Sequence, residues 1–531
     1  MADIVIRGGT IVDGTGTPGR PGTLAIEAGR VRILSSEVDI ALAERTIDAP
    51  GMVVAPGFID LHSHSGLEIF REPRHEPKIR QGVTTEVIGV DGLSYAPFAT
   101  QRDLDDLIEM NAGLDGTPPP DEPPTWRSVA DYGSRFDRRV GVNVAQLVGN
   151  TALRIGALGW DDRPADRRAI DRMRGSLRDA MTDGAFGLST GLDYPPGAYA
   201  TTGELVALAE EAGRAGGFYH SHVRYALGDR FLDPFREAIE IGRRSGAPAH
   251  ITHFYHRATF PGSPDQLLAL VDEARAAGRD VTFDAYPFEW ASTRLLILLP
   301  IWVLAGGPRA TKARLADRSV RERVRIELRD RGVLFAGAGG LGDIRLGAFH
   351  RPELLPWEGR SLGEYLAETG LEPVDGLCDL LLAENLALNE VTPGPNLDGI
   401  RRFYRHPVAM VGTDSVFVGA RPSPRTYGSF PRILGQFVRD EAVLTLEEAV
   451  HRMTGMAATR LGLRDRGVLR DGAVADVVVF DPARVRSNAT YEEPRRYPDG
   501  IEHVVVNGTL VVDGGRHTGA TPGRALRHGR D

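Results

Sequence analysis

Residues 52–65 read MVVAPGFIDLHSHS, an apolar run that ends in a His-Ser-His triplet. Side chains two residues apart on a β-strand lie on the same face, so His62 and His64 are expected to point to one side. In α/β barrels, the residues that carry chemistry lie at the C-terminal ends of the strands. We therefore predict that Met52–Leu61 is the first strand of a barrel and that both histidines belong to its functional site.

Short apolar runs alternate with helical patterns through the middle of the chain. Thr202–Arg214 and Pro234–Arg244 are two of these helical patterns. The candidate strands number eight and are Met52–Leu61, Glu86–Val90, Val142–Val148, Ala185–Ser189, Phe218–Ser221, Pro248–Thr252, Val281–Ala285 and Val408–Gly412. Eight strands that alternate with helices predict the α/β class and a TIM-like (β/α)8 barrel.

Both ends of the chain have a different pattern. Alternating or β-branched runs typical of antiparallel strands occur at Leu24–Glu27 and Val31–Leu34 near one end and at His503–Val506 near the other. About 120 residues separate barrel strands seven and eight, too many for one helix. The predicted domains are a small β-sandwich built from both termini (1–56 and 466–531), a barrel (57–465), and an inserted subdomain between strands seven and eight at about 290–360.

The composition of the 531 residues is that of a globular protein, with 42% hydrophobic and 25% charged residues. A formal net charge of −9 gives no attraction to nucleic acid or to an anionic membrane. No secretory signal pattern opens the chain, and no apolar run reaches the roughly 20 residues of a membrane span. We therefore predict a cytoplasmic protein with no nucleic-acid partner and no membrane partner. Cys378 is the only cysteine, which excludes an internal disulfide and a CxxC zinc knuckle.

Further ligand-type residues follow the later strands. His222 ends strand five, His253 ends strand six and Asp414 ends strand eight. Together with His62 and His64 they would meet at one end of the barrel, and imidazole and carboxylate groups are suitable ligands for Zn²⁺. The sequence therefore predicts one or two Zn²⁺ ions. A set of hydrogen-bonded core histidines is the alternative, but it does not account for their common place at strand ends.

Several stretches resemble one known family. These stretches are GFIDLHSH, GLSTGLDYPPG, the YPF and ST segments within Tyr286–Thr293, SPRTYGSFPRILG, and ADVVVFDP with HVVVNG. They are similar to the N-acyl-D-amino-acid deacylases, or D-aminoacylases, of the amidohydrolase superfamily. The resemblance runs nearly from end to end and implies the barrel-plus-sandwich architecture. It implies that metal-bound water attacks the amide of an N-acyl-D-amino acid. By this resemblance His62, His64 and Asp414 form one metal site, while His222 and His253 belong to a tighter one.

One departure from the family concerns the tighter metal site. The family usually supplies a cysteine from a Gly-Asn-Cys-Gly turn after strand two, whereas the turn here is Gly89-Val90-Asp91-Gly92. Asp91 is therefore predicted as a metal ligand in place of the cysteine. A carboxylate is a harder ligand than a thiolate, which shifts the preference toward Mn²⁺ or Fe²⁺. The alternative is that Asp91 is an ordinary turn residue that caps the next segment.

A second departure concerns the group that binds the substrate carboxylate. The resemblance implies a clamp in which Tyr286, Ser292 and Arg425 match the family, but Tyr255 stands where the family has a lysine. One of two cations is missing, so the substrate either lacks a free α-carboxylate or presents it differently.

The remaining site residues are predicted with alternatives. Asp414 is predicted as the general base that takes a proton from water and returns it to the leaving nitrogen. The alternative is that Asp414 is only a metal ligand or the N-cap of the next helix. Arg224, just past His222, is predicted as a substrate contact or as part of a structural ion pair. Tyr194, in GLDYPPG, is predicted to hydrogen-bond the substrate or to pack on its proline turn.

The sequence thus predicts a hydrolase of carbon–nitrogen bonds other than peptide bonds, acting on a small-molecule amide. The departures at Asp91 and Tyr255 leave open another linear or cyclic amide, and a catalytically silent barrel is a further alternative. Lys78 and Lys312 are the only lysines. Strands two to seven therefore lack the carboxylated lysine that bridges two metals in dihydroorotases and hydantoinases. A homo-oligomer is compatible with the sequence.

Overall fold

The computed structural model describes residues 2–34, 43–225, 230–257, 261–331 and 338–531. Within these ranges, no helix combines the length and the apolar character that crossing a membrane requires.

Both ends of the chain build one nine-stranded sheet. Its strands, in spatial order, are Arg516–His517, Thr509–Asp513, Ile501–Val506, Val477–Phe480, Val53–Pro56, Ala2–Ile11, Arg20–Glu27 and Arg30–Leu34, with Ala43–Asp48 paired to Ala2–Ile11. Val53–Pro56 joins the two halves, because it pairs with Ala2–Ile11 on one side and with Val477–Phe480 on the other. Side chains from both halves, such as Ile26 and Val479, share one apolar core. This agrees with the predicted β-rich unit made from the two termini.

Eight parallel strands form the barrel. In order they are Phe58–Asp60, Val83–Ile88, Asn143–Gln146 continued by Val148–Gly149, Gly187–Gly191, Phe218–His222, Ala249–Ile251, Val281–Ala285 and Ala409–Val411. The first and eighth strands meet where the Leu61 N–H donates to the Val411 carbonyl (3.2 Å) and the Asp414 N–H donates to the His62 carbonyl (2.9 Å). The C-terminal ends of all eight strands therefore face one mouth.

The predicted first strand is two strands. Val53–Pro56 belongs to the terminal sheet, and only Phe58–Asp60 enters the barrel. The break falls at Gly57, where an added Cβ would lie 2.2 Å from the Thr84 side chain, so only glycine lets the chain pass there. A continuous apolar run does not reveal such a change of partner.

Helices surround the barrel and fill the long connections. Their bounds are Glu76–Ile79, Gln101–Asp115, Val129–Ser134, Asn150–Leu158, Arg167–Asp183, Thr202–Arg214, Asp233–Ser245, Pro264–Ala276, Gly307–Ala316, Arg318–Arg331, Leu362–Thr369, Pro373–Ala383, Leu397–Arg405, Arg425–Arg432, Leu446–Met453 and Gly455–Leu461, with a π-helix at Ile433–Asp440. In Arg167–Asp183, Met173, Leu177 and Ala180 are buried, the spacing of one helix face.

The prolines of LDGTPPPDEPP predict from the sequence that residues 111–124 form an exposed loop or a short polyproline II segment. This is wrong for 111–115, because the helix Gln101–Asp115 continues through them and buries Asn111, Leu114 and Asp115. The apolar spacing from Leu104 onward extends the helix to Asp115, and the prolines begin only at Pro118.

The segment between barrel strands seven and eight contains its own antiparallel sheet. Asn389–Pro393 is the central strand, flanked by Trp290–Arg294 and Arg345–Gly347. Trp290–Arg294 and Asn389–Pro393 both contribute to the cavity at the barrel mouth. Asn389–Pro393 lies beyond the predicted bounds of about 290–360, and the whole segment between barrel strands seven and eight is called the insertion below. The domain boundaries stay predictions.

Candidate metal centre and substrate cavity

The six predicted metal ligands all reach the barrel mouth. His62 and His64 follow the first barrel strand, Asp91 follows the second, His222 ends the fifth, His253 follows the sixth and Asp414 follows the eighth. Each is at most 7% exposed. Asp91, His253 and Asp414 have positive φ angles of 52°, 35° and 49°, which are uncommon for residues other than glycine. Such strained backbone is concentrated at functional sites.

Four of these side chains form one donor cluster. His62 Nε2 and His64 Nε2 are 3.3 Å apart. Asp414 Oδ1 lies 3.4 Å and 3.3 Å from these two nitrogens, and the nearest Asp91 oxygens lie 3.5 Å from each. Two ligands of a tetrahedral Zn²⁺ at about 2.0–2.1 Å are separated by about 3.4 Å. The spacing is that of groups arranged around an ion.

A second donor cluster shares Asp91. His222 Nδ1 and His253 Nε2 are 2.9 Å apart, and Asp91 Oδ2 lies 3.3 Å and 3.6 Å from them. Asp91 Oδ1 is buried and has no hydrogen-bond partner within the described ranges. A buried, unpaired carboxylate oxygen among imidazoles is suited to bind a cation. Asp91 does lie in a turn, and its carboxylate belongs to both donor clusters.

Neighbouring groups fix the orientation of the imidazole rings on the first cluster. Asp115 Oδ1 lies 2.7 Å from His64 Nδ1, and Asp115 Oδ2 accepts a hydrogen bond from the Tyr95 hydroxyl. Thr252 Oγ1 hydrogen-bonds His62 Nδ1 and donates to Asp284. In both histidines the Nδ1 atom is engaged, which leaves Nε2 for a metal.

Hydrogen bonds also fix the orientation of the imidazole rings on the second cluster. Asp193 Oδ2 accepts a bond from His222 Nε2 (3.0 Å) and from the Tyr225 N–H (3.0 Å). The Tyr225 hydroxyl lies 3.2 Å from His253 Nδ1. Sequence reasoning missed Asp193, although it lies inside the quoted GLDYPPG stretch.

Charge balance at the centre suits a cation. Burial acts to raise the pKa of Asp91, but the charges of His62, His222 and His253 hold it well below its usual range. Burial also opposes ionisation of Asp414, yet Arg425 and His62 bring its pKa to about 2. Burial opposes protonation of His64 and His222, yet Asp115 raises the pKa of His64 and Asp91 raises that of His222 to about 9, so these two rings hold protons that a bound ion would displace.

A cavity opens onto the predicted metal ligands. Besides Asp91, His222, His253 and Asp414, it is lined by Tyr194, Tyr255, Arg257, Tyr286, Ala291, Ser292, Thr293, Ile297 and Glu390. Four of the six predicted substrate contacts are thus in its wall. Arg425 lies immediately behind, because its Nη1 is 2.8 Å from Asp414 Oδ2 and its Nη2 donates to the Ser292 carbonyl (3.0 Å).

Arg224 is placed differently from the other predicted substrate residues. Its Nε donates to Glu237 (2.9 Å), and its Nη atoms donate to the carbonyls of Ala198 and Ala200. It is absent from the cavity wall. These contacts are those of the structural ion pair that was the alternative for this residue.

Sequence reasoning missed two charged residues of the cavity. Arg257 lies four residues after His253, and Glu390 comes from the insertion; they are 4% and 1% exposed. No sequence motif near Glu390 indicates that it lies in the cavity, because its strand is positioned by pairing with residues about 100 positions away.

A parallel barrel whose mouth holds two adjoining His and Asp clusters defines the class of metal-dependent barrel hydrolases. Comparison with known proteins is more specific. The model of the amidohydrolase family matches residues 45–293 and 380–512. The chain is 36% identical to an N-acyl-D-glutamate deacylase of Alcaligenes xylosoxydans xylosoxydans, over 99% of this chain and 96% of that protein. It is 34% identical to a D-aminoacylase of the same organism, over 99% and 97%.

A solved structure agrees with these matches. N-acyl-D-glutamate deacylase from Bordetella bronchiseptica, complexed with zinc and a phosphonate mimic of the tetrahedral intermediate, superposes with a TM-score of 0.82 at 33% identity and covers 99% of both chains. The chain belongs to the amidohydrolase family, within its group of D-aminoacylases and N-acyl-D-amino-acid deacylases. It is a metal-binding hydrolase of carbon–nitrogen bonds other than peptide bonds.

Proposed function

We propose that this enzyme hydrolyses the amide bond of N-acyl-D-amino acids, releasing a carboxylate and the free amino acid. The observation that carries the proposal is the pair of clusters joined by Asp91 and open to a cavity with Tyr286, Ser292 and the nearby Arg425. Relatives with these activities match over the whole chain.

The donor set favours Zn²⁺, in one or two ions, with His62, His64 and Asp414 holding one and His222 and His253 the other. The shared carboxylate of Asp91 widens the acceptable set to Mn²⁺ and Fe²⁺. When bound, the ion polarises the scissile carbonyl and lowers the pKa of water.

Asp414 is the proposed general base. Its Oδ2 pairs with Arg425, so Oδ1 faces His62 and His64. From there Oδ1 accepts the proton of the attacking water and delivers it to the leaving nitrogen. Tyr286 and Ser292, with Arg425 behind them, hold the α-carboxylate, while Tyr194 and Tyr255 orient the rest of the substrate.

A substrate panel tests this proposal. Metal-loaded enzyme is assayed with N-acetyl and N-formyl derivatives of D- and L-amino acids, beside dihydropyrimidine and lactam substrates. Turnover restricted to the D-series supports the proposal. Turnover of cyclic amides alone would overturn it in favour of another amide, the alternative that Tyr255 leaves open.

Metal analysis tests the silent-barrel alternative. Dialysis against a chelator should remove the ions and the activity together, and Zn²⁺ should restore both. Location in the cytoplasm, a homo-oligomeric state and the lack of nucleic-acid or membrane partners remain predictions from sequence.

A further inference from the structure

Arg257 and Glu390 place a hydrogen-bond donor and an acceptor in the wall of the same cavity. We propose that they form a subsite for a carboxamide, so that the preferred substrates are N-acyl-D-amino acids with an amide side chain, such as N-acyl-D-glutamine. This inference rests on the proposed function and adds a substrate class to it.

The position of Glu390 is the first argument. It lies on the central strand of the insertion, opposite Thr293, and its backbone is held in place from both sides. The neighbouring Asn389 donates to the carbonyls of Gly113 and Thr293 (both 2.8 Å) and accepts from Ser292 Oγ (3.0 Å). The carboxyl group is therefore presented to the cavity by a rigid strand.

The second argument is that one carboxyl oxygen of Glu390 has no hydrogen-bond partner. Its side chain is buried, and Oε2 has no hydrogen-bond partner in the described part of the chain. A buried polar atom without a partner destabilises the fold, so such groups call for a ligand or another explanation. A substrate N–H group would satisfy this oxygen.

The third argument is charge. Burial raises the pKa of Glu390 to about 8 even though Arg257 and Arg425 lower it, so the carboxyl is largely neutral below pH 8. Arg257 disfavours a cationic substrate side chain beside it. Above the pKa of about 8, Glu390 is ionised and disfavours an anionic one. A neutral group with one donor and one acceptor suits both residues.

A carboxamide has this combination. Its NH₂ group donates to Glu390, and its carbonyl accepts from Arg257, whose guanidinium has five N–H donors and keeps its contact with Tyr255 while it binds a ligand. Sites built to hydrogen-bond a substrate group reject analogues that lack it, because the buried polar groups are then left unpaired.

The experiment compares kcat/KM for N-acetyl-D-glutamine, N-acetyl-D-glutamate and N-acetyl-D-norleucine at pH 8.5. For the wild-type enzyme, we expect kcat/KM for N-acetyl-D-glutamine to exceed kcat/KM for each of the other two substrates by at least about tenfold. In Glu390→Leu the preference over norleucine should fall below about threefold, whereas Glu390→Gln retains an acceptor and most of the preference. Arg257→Leu should lower kcat/KM for N-acetyl-D-glutamine by a larger factor than kcat/KM for N-acetyl-D-norleucine.

A control separates recognition from folding. Glu384 is another buried glutamate of the insertion, and its carboxylate accepts the N–H groups of His350 and Arg351 away from the cavity. Glu384→Leu should lower the melting temperature without changing the substrate ratios. Equal losses on all three substrates in Glu390→Leu, or a wild-type preference for glutamate, would overturn the subsite. Failure to hydrolyse any N-acetyl-D-amino acid would overturn the proposed function itself.

Discussion

The carboxylate of Asp414 and the guanidinium of Arg425 form a buried ion pair, with Oδ2 and Nη1 2.8 Å apart. Arg425 also lies over the Tyr286 ring, 4.5 Å from its centroid. One arginine therefore contacts both the proposed base and the proposed carboxylate clamp. The clamp and the chemical step are physically linked.

Arg425→Ala is expected to lower kcat at least tenfold on every substrate, because Asp414 loses its counter-charge and its orientation. Substrates with an α-carboxylate should lose about 2 kcal/mol more in kcat/KM than neutral analogues. Steady-state kinetics on matched acids and amides measures both effects. If the only effect is a higher KM for the carboxylate substrates, the ion pair with Asp414 is unimportant for the chemical step. Arg425→Lys tests whether a positive charge alone is enough to support Asp414.

Asp91→Asn should lose metal and most of the activity, because it removes the one anionic group shared by both clusters. Asp91→Cys restores an anionic ligand and should retain metal. Elemental analysis of both purified variants, alongside turnover, distinguishes the two outcomes. Full metal content and full rate in the asparagine variant would identify Asp91 as a turn residue only.

Lys78→Met should destabilise the fold by about 3–5 kcal/mol, the usual effect of stripping a buried charge of its partner. The Lys78 ammonium is fully buried and bonds Asp60, Thr413 and Ser415, which ties the first barrel strand to the eighth. Denaturant unfolding of the variant and wild type measures the loss.

The other lysine is a matched control for that experiment. Lys312 pairs with Glu109 near the surface, with side chains 33% and 28% exposed. Lys312→Met should change stability by less than about 1 kcal/mol. Similar losses in both variants would refute a special role for Lys78 at the barrel seam.

Glu390→Gln should make stability less dependent on pH. The pKa of the group rises from 4.5 to about 8 on burial, so between these values the folded protein holds a proton that the unfolded chain has lost. Stability therefore falls as pH rises through this window, by up to about 1.4 kcal/mol per unit. Between pH 5 and pH 8, the unfolding free energy of the wild type should fall relative to that of the variant. A difference that stays constant with pH would show that Glu390 is already ionised in the folded protein.

Much of the site could be predicted from local patterns. His62, His222, His253 and Asp414 each end or follow an apolar run, and parallel strands bring such ends to one mouth. Asp115 could not be found this way, since it was assigned to a loop and its bond to His64 spans 51 positions.

The sequence by itself determined the class of fold, the order of the strands, the family and the metal-ligand types, because period-two apolar runs and short motifs are local properties of the chain. Only the tertiary structure decided that Asp91 is shared by two clusters, that Arg425 pairs with Asp414, and that Arg257 and Glu390 face one cavity. These relationships join side chains from separate strands, loops and the insertion. Their distances depend on how whole elements pack, which no local pattern encodes.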